Sequence, residues 1–569
     1  MELAKSTDDS VVRLLRSWAV SRDDDDGQEA LRYIARQQLT DDVADEATKL
    51  VLESTPKPNA DNDAIEDENI ADQLMGQLLK YPRPRAFLAS RLRREPLFTW
   101  RKLYDHGDDS IDGLVAVLLD TAVWPSEEER VAAQRDVFQL GLAKLMEAGA
   151  EDPDRAMRVI SRLLAAEASH LNGIIDHDGF DVILSSLDIR LSNTLRSHAT
   201  LATVKLLELS PESAQRLISQ FVMYKLGRAT SENIIIAFSA AAAVFPMAPP
   251  VASALFLTPG FLEDLVPLVA SKQSQRVEQA TLELLSAACM DKACREATAK
   301  HCKGWLQTIE SSGTDTRRSN LAALVLTKIA RAAPKDPQQK EATGDLASRD
   351  DFVERFKDML VTSADDNAIQ ESIEGLAYSS IQPRIKEKLA DDSTFLKNLV
   401  QTLSSSTTAR PSLFGGLTIL SNLTAHLPAQ SEEHKRLSQL KAYANKSNPT
   451  QADPLDNDAH VTARCKKVLD AGVVPLLASC TKRASTTVLS LAFQILLSLS
   501  REREHRPTLT QQGAIKLIVQ KYDAVAESSP VSNVSYPVGL DLHFQCVVGL
   551  RTESTPASYS NKLNVTTHR

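Results

Sequence analysis

One pattern constrains this chain more than any other: an apolar helix start recurs about every forty residues. Gly260-Phe261-Leu262-Glu263-Asp264-Leu265-Val266 opens one such run, and Cys302-Lys303-Gly304-Trp305-Leu306 opens another 42 positions on. Asp351-Phe352-Val353 and Thr394-Phe395-Leu396 repeat the pattern 43 apart. Gly472-Val473-Val474-Pro475-Leu476-Leu477 and Gly513-Ala514-Ile515-Lys516-Leu517-Ile518 are spaced by 41. Upstream, Gly179-Phe180-Asp181-Val182-Ile183-Leu184 lies 81 before Gly260, or two periods. A helical period of this length is the mark of armadillo and HEAT arrays. One unit cannot bury its own apolar face, so neighbours stack into a shared core. The expected fold class is all-α, an armadillo/HEAT-like right-handed superhelical solenoid. The clearest unit is Ala471 to Gln512, in which Val488 to Leu499 reads as the long third helix of a repeat.

Composition agrees. Aromatics make up 5% of the 569 residues, with 20 glycines and 25 prolines, too few for the strands and turns of an all-β fold. Four regions are expected: 1–75, acidic N-terminal helices and a linker; 76–330, a central armadillo-like region; 331–523, a second armadillo region; and 524–569, an irregular, disordered tail. In the first, Val11 to Val20 and Gln28 to Leu52 have helical spacing, and Asp23 to Asp26 should cap the helix that follows. Ser54 to Asp67, with two prolines and many acids, reads as a flexible linker. Lys446 to Asp458 is a polar loop, and from about Ala524 helical periodicity is lost.

Asn233 to Leu262 carries no charge and could be mistaken for a membrane span. Pro246, Pro249 and Pro250 fall in its middle and would break a single helix. Two short buried helices are expected instead, with no membrane partner. The six cysteines are sparse and irregular, and no secretory signal opens the chain, so a reducing, cytoplasmic location is expected and the three Asn-x-Ser/Thr sequons read as accidental.

Motifs that carry chemistry are scarce. Gly415-Gly416 lacks the third glycine and the lysine of a phosphate loop, and neither a Gly-x-Ser-x-Gly elbow nor a His-Glu-x-x-His pair occurs. Cys289, Cys294, His301 and Cys302 are crowded but badly spaced for zinc, which favours buried structural thiols. Asp176-His177-Asp178 and Glu66-Asp67-Glu68 sit in polar turns before helices, where carboxylates cap. No enzyme, metal or cofactor is expected.

Two charged stretches remain. Basic residues interleave with aromatics from Lys80 through Tyr81, Arg83, Arg85, Phe87, Arg91, Arg93, Arg94, Phe98 and Trp100 to Arg101. This resembles a small nucleic-acid footprint; the preferred reading is that the arginines lie over aromatics and pair with the N-terminal acids. The net charge of −10 overall, and −11 over the first 75 residues, also speaks against a polyanion partner. Between Val461 and Tyr522, ten Lys or Arg face three Asp or Glu, so a groove there would attract an acidic or extended segment. Ordinary solvated helix faces explain this excess equally well.

The most distinctive stretch runs from Ser412 to Asn445. Leu417, Leu420 and Leu423 form a core stripe, and Asn422 falls at a third-helix position where an amide could hold the backbone of an extended peptide. The alternative is that Asn422 only binds local backbone. Aligning the stripes puts Lys328 and Ser498 at equivalent positions. The runs Phe-Gly-Gly-Leu-Thr-Ile-Leu-Ser-Asn-Leu-Thr (414–424) and Ser-Glu-Glu-His-Lys-Arg-Leu-Ser-Gln-Leu-Lys-Ala-Tyr-Ala-Asn (431–445) closely resemble the UCS family of myosin-directed co-chaperones, its fungal branch in particular. That resemblance implies an L-shaped armadillo body that binds the myosin motor domain, assists its folding or stability, and cooperates with the Hsp90 chaperone. It places client contacts at Lys328, Asn422, Arg436, Lys441, Tyr443, Asn445 and Ser498, with a loop beside the groove at 435–458. Two departures stand out. No 34-residue tetratricopeptide repeats precede residue 75, and the chain leaves the family pattern after Gly513-Ala514-Ile515, as a C-terminally truncated member would. The competing expectation is a generic armadillo adaptor that binds an extended peptide.

Overall fold

The computed structural model describes residues 2–21, 24–36, 39–54, 69–147, 149, 151–228, 230–312, 315–330, 343–405, 410–427, 453–481 and 484–527. Among these residues the regular structure is all helical. The chain forms two compact units, Met1–Ala297 and Thr298–Arg569. Their boundary falls inside the 76–330 region drawn from the sequence.

The first unit begins with α1 (Glu2–Ser21), α2 (Asp24–Arg36) and α3 (Asp41–Glu53), followed by α4 (Ile70–Leu78), α5 (Pro82–Arg94), α6 (Pro96–His106) and α7 (Asp108–Leu119). Asp24 to Asp26 form the first turn of α2, where their charge suits the positive helix end. The helical spacing seen from Gln28 to Leu52 resolves into two helices, because the chain breaks before Asp41 and restarts with Thr40 as N-cap. The unit continues through α8 (Glu127–Met146), α9 (Pro153–Leu171), α10 (His177–Ser185), α11 (Asn193–Leu209), α12 (Pro211–Gly227) and α13 (Ser231–Met247). Asp176 accepts the Gly179 amide at 2.8 Å, so the Asp-His-Asp turn is the cap expected of it.

The charge-free stretch is two helices, as its prolines require. α13 ends one residue past Pro246, and α14 (Pro249–Phe256) starts on the Pro-Pro pair. Phe245 meets Phe256 edge-on at 5.8 Å, and both are buried. No single described helix is long and apolar enough to cross a membrane. α15 (Phe261–Lys272) and α16 (Gln275–Ala288) follow, and α17 (Lys292–His301) carries the chain past Ala297.

The second unit contains α18 (Lys303–Ser312), α19 (Thr316–Ile329), α20 (Thr343–Thr362), α21 (Asp366–Ser379), α22 (Pro383–Asp391), α23 (Ser393–Ser404) and α24 (Arg410–Thr424). Then come α25 (Asp458–Asp470), α26 (Val473–Cys480), α27 (Thr486–Ser500), α28 (Arg506–Gln511) and α29 (Ala514–Glu527). Asp351-Phe352-Val353 does not open a helix: α20 begins at Thr343 and runs straight through it. α29 likewise continues past Ala524 to Glu527.

The long third helices form a row, α19 on α21, α21 on α24 and α24 on α27. Their apolar stripes are fully buried, as in Leu417, Leu420 and Leu423, each with no exposed surface. The recurring glycines owe their place to backbone shape. Gly260, Gly472 and Gly513 each sit just before a helix with φ between +87° and +91°, a conformation that costs any L-side chain about 1 kcal/mol or more. Gly415 and Gly416 serve packing. A Cβ at 415 would come within 2.8 Å of Ile373 and one at 416 within 2.4 Å of Leu403, so the pair lets α24 lie close on α21 and α23.

Candidate functional site

The row of third helices brings together three of the seven sequence-predicted contact residues, and it uses two of them internally. Lys328, near the end of α19, belongs to a buried stripe with Leu321, Leu324 and Val325 and is 2% exposed. Its ammonium pairs with Glu374 of α21 at 2.7 Å and lies 5.5 Å over the Tyr378 ring. A buried amine needs such a carboxylate, because an unpaired charge there would be expensive.

Asn422 holds the next contact of the row. Its amide nitrogen donates to Ser380 Oγ at 2.9 Å and to the Ala377 carbonyl at 3.4 Å, tying α24 to the end of α21. The NH2 group is therefore committed to the fold. Among the described residues its carbonyl oxygen accepts nothing, so what it can offer a guest is an acceptor for an N–H. Ser498 on α27 is half-buried, and its backbone carbonyl receives the Arg501 amide at 3.4 Å. Arg436, Lys441, Tyr443 and Asn445 lie outside the described residues.

The row also presents Phe414, 44% exposed, on α24 and Gln494 on α27. With Asn422 and Ser498 they give the long helices of the row both polar and apolar surface groups. Such groups can hold an extended segment by backbone hydrogen bonds without demanding one sequence.

Sequence reading missed the polar knot beneath this face. Arg464 of α25 is completely buried and donates to the Leu423 carbonyl at 3.0 Å, the Leu455 carbonyl at 2.7 Å and Asp456 at 3.1 Å, and it also pairs with Glu387. Lys386 reaches Asp456 at 2.9 Å, and His460 lies 3.3 Å from Glu387. The stretch from Asp453 to Asn457 is thus bolted to α22 and α25, and this end of the predicted client loop is structural. The signal was present: Val461, Arg464, Cys465, Val468 and Leu469 follow a buried helical stripe, with arginine at one of its inward positions. It also removes one of the ten cations counted between Val461 and Tyr522. A second is tied up where Lys467 pairs with Asp391, and a third where Arg506 donates to the Ser500 carbonyl at 3.0 Å.

Reactive groups are quiet here. Burial pushes the Cys465 thiol up to about 12 and Cys480 up to about 11, so both stay protonated at neutral pH and are poor nucleophiles. Asp392 is held below the usual carboxylate range: its partial burial is the largest single effect and opposes ionisation, but Lys357 at 2.6 Å and the backbone amides of Phe395 and Thr394 together outweigh it. Among the described residues no group of His, Cys, Asp and Glu is arranged to hold a metal.

Residues 152–356 match the UNC45-central family, described as myosin-binding striated muscle assembly central. Over those residues the chain is similar to this family. Ring assembly protein 3 of Schizosaccharomyces pombe is 23% identical to this chain over 266 residues, covering 47% of the chain and 32% of the relative. The chain's matches span about a third of the length of its curated fungal relatives. UNC-45 from Drosophila melanogaster superposes with a TM-score of 0.57 at 15% identity, over 95% of this chain and 71% of that one. UNC-45 from C. elegans, in complex with a Hsp90 peptide, gives 0.56 at 14% identity, over 98% and 62%. At such identities the likeness establishes the fold, a helical armadillo-like solenoid.

Proposed function

We propose that this chain is a non-enzymatic, cytoplasmic chaperone that holds segments of a myosin motor domain against its row of third helices and assists their folding or stability, in cooperation with Hsp90. The observation that carries the reading is the match of residues 152–356 to the UNC45-central family. A continuous helical row with polar and apolar surface groups supports it, as does the Hsp90 peptide bound to the C. elegans relative. Holding by backbone contacts and charge needs no nucleotide of the chain's own.

Client contacts are assigned to Asn422 through its carbonyl oxygen, to Ser498, and to Arg436, Lys441, Tyr443 and Asn445. Lys328 acts indirectly, by fixing Glu374 and Tyr378. The test is retention of a purified myosin motor domain on the immobilised chain, together with light scattering of the motor on heating. Wild type should retain the motor and suppress its aggregation, and Arg436→Glu with Lys441→Glu should weaken both. Failure to retain any myosin motor would sink this reading. Retention without suppression would point to an adaptor instead.

A further inference from the structure

We infer that the turn between α5 and α6 is a docking site for a short acidic peptide carrying an aromatic or aliphatic side chain. The basic stretch from Lys80 to Arg101 is mostly consumed by ion pairs: Arg83 with Asp45, Arg85 with Asp120 at 3.0 Å, Arg91 with Glu53 at 3.5 Å, and Arg93 with Glu129 at 2.7 Å. Arg94 and Arg101 are left. Both are exposed, and neither has an ion pair among the described residues.

Between these two arginines in the sequence stand two exposed apolar residues. Leu97 is 53% and Phe98 40% exposed, side by side at the start of α6. The Arg91 guanidinium lies 5.9 Å from the Phe98 ring centroid and the Lys102 ammonium 6.0 Å from it. Lys102 is also anchored, 3.3 Å from the Ser54 carbonyl. Phe98, Arg101 and Lys102 share one face of α6, three and four residues apart. The result is an aromatic ring braced by two fixed cations, with two exposed arginines nearby in sequence that form no ion pair among the described residues.

Charge selects the occupant. The patch is a basic island on a chain whose first 75 residues carry −11, and Glu53 and Glu95 stand at its Arg91. A long polyanion would run from the two arginines into these acids, and its affinity depends on neutralising many phosphates. A short acidic peptide reaches Arg94 and Arg101 without overrunning them, while its apolar side chain covers Leu97 and Phe98.

The experiment is fluorescence anisotropy with a labelled Glu-Asp-Glu-Trp-Asp-Glu peptide and the full chain. Binding should weaken as salt is raised. Arg94→Glu with Arg101→Glu should weaken it about tenfold, since each exposed pair contributes modestly. Phe98→Ala, or Gly for Trp in the peptide, should weaken it several-fold. Both arginines are exposed, so the thermal midpoint should not change; Arg94→Gln with Arg101→Gln serves if the reversed pair folds poorly. Unchanged affinity in both arginine variants overturns the inference. It also falls if single-stranded RNA displaces the peptide at lower concentration, which would make the patch a nucleic-acid footprint. A third outcome against it is binding that appears only after Asp61, Asp63, Glu66, Asp67 and Glu68 are made neutral, since the chain's own acidic segment would then be the occupant.

Discussion

Arg464 donates from Nε to the backbone carbonyl of Leu423 at 3.0 Å, joining two residues 41 apart in sequence. Leu423 is the penultimate residue of α24, where a helix leaves its carbonyls without partners and carries its negative end. A buried guanidinium at that point closes the helix, and its remaining donors hold Glu387, Asp456 and the Leu455 carbonyl.

Removing this arginine should therefore be severe. Arg464→Ala takes the guanidinium from Glu387, leaves Asp456 to Lys386 alone, strips the Leu423 and Leu455 carbonyls of their donor, and should cost about 3–5 kcal/mol. Arg464→Lys should recover little of that, because one ammonium cannot reproduce the planar fork. Urea denaturation followed by circular dichroism would measure both, and a loss below 1 kcal/mol for the alanine variant would refute the structural role given to the knot.

Asn422→Ala tests a weaker joint. It removes two donated hydrogen bonds and leaves Ser380 Oγ short of a partner, so a loss of about 1–2 kcal/mol is expected. Asn422→Asp should be at least as harmful, since a carboxylate cannot donate to the Ala377 carbonyl. Thermal melts of both variants would show the order.

The glycines should separate by cause. Gly472→Ala and Gly513→Ala meet nothing within 4 Å, yet should cost about 1–2 kcal/mol through their left-handed backbone alone. Gly416→Ala should cost about 1–3 kcal/mol by pressing on Leu403. Gly304→Ala, inside α18 with open space around it, should instead stabilise by up to about 1 kcal/mol. Matched melting curves would reveal whether the three classes differ in sign as well as size.

Acid should loosen the first unit at His106. This side chain is 1% exposed, and burial is the main cause that holds its pKa below the ordinary value; its contact with the Ser54 carbonyl and the charges of Asp72 and Asp105 oppose that, while Lys102 adds to it. The unfolded chain takes up the proton near pH 6.5 and the folded chain only at lower pH, so stability falls as pH drops through about 6.5 and levels off below the folded value. His106→Gln should flatten that part of a pH–stability curve. A slope unchanged in the variant would assign the acid sensitivity elsewhere.

Some of these features could be read from residue order and others could not. Gly472 and Gly513 announced their repeats because a turn of fixed geometry returns wherever the unit returns. Leu417, Leu420 and Leu423 announced the core by spacing alone. Asp351-Phe352-Val353 misled, since an apolar pair in mid-helix looks the same as one at a helix start. Lys328 and Asn422 were placed on the right helices, but their partners Glu374 and Ser380 belong to a neighbouring helix and its C-cap, 46 and 42 residues away, and spacing within one helix says nothing about them. Arg464 was counted as surface charge because a tally of signs ignores which face a residue occupies.

The row from α19 to α27 has one more implication. Each long helix leans on the next, as α21 does on α24 through Asn422 and the space left by Gly415. Damage in such an array travels like a fraying rope, strand by strand from the weakened place, and does not shatter the whole at once. Under mild stress the second unit should pass through states in which one end has come undone while the other still stands, visible as amide protons that lose protection in graded steps along the chain.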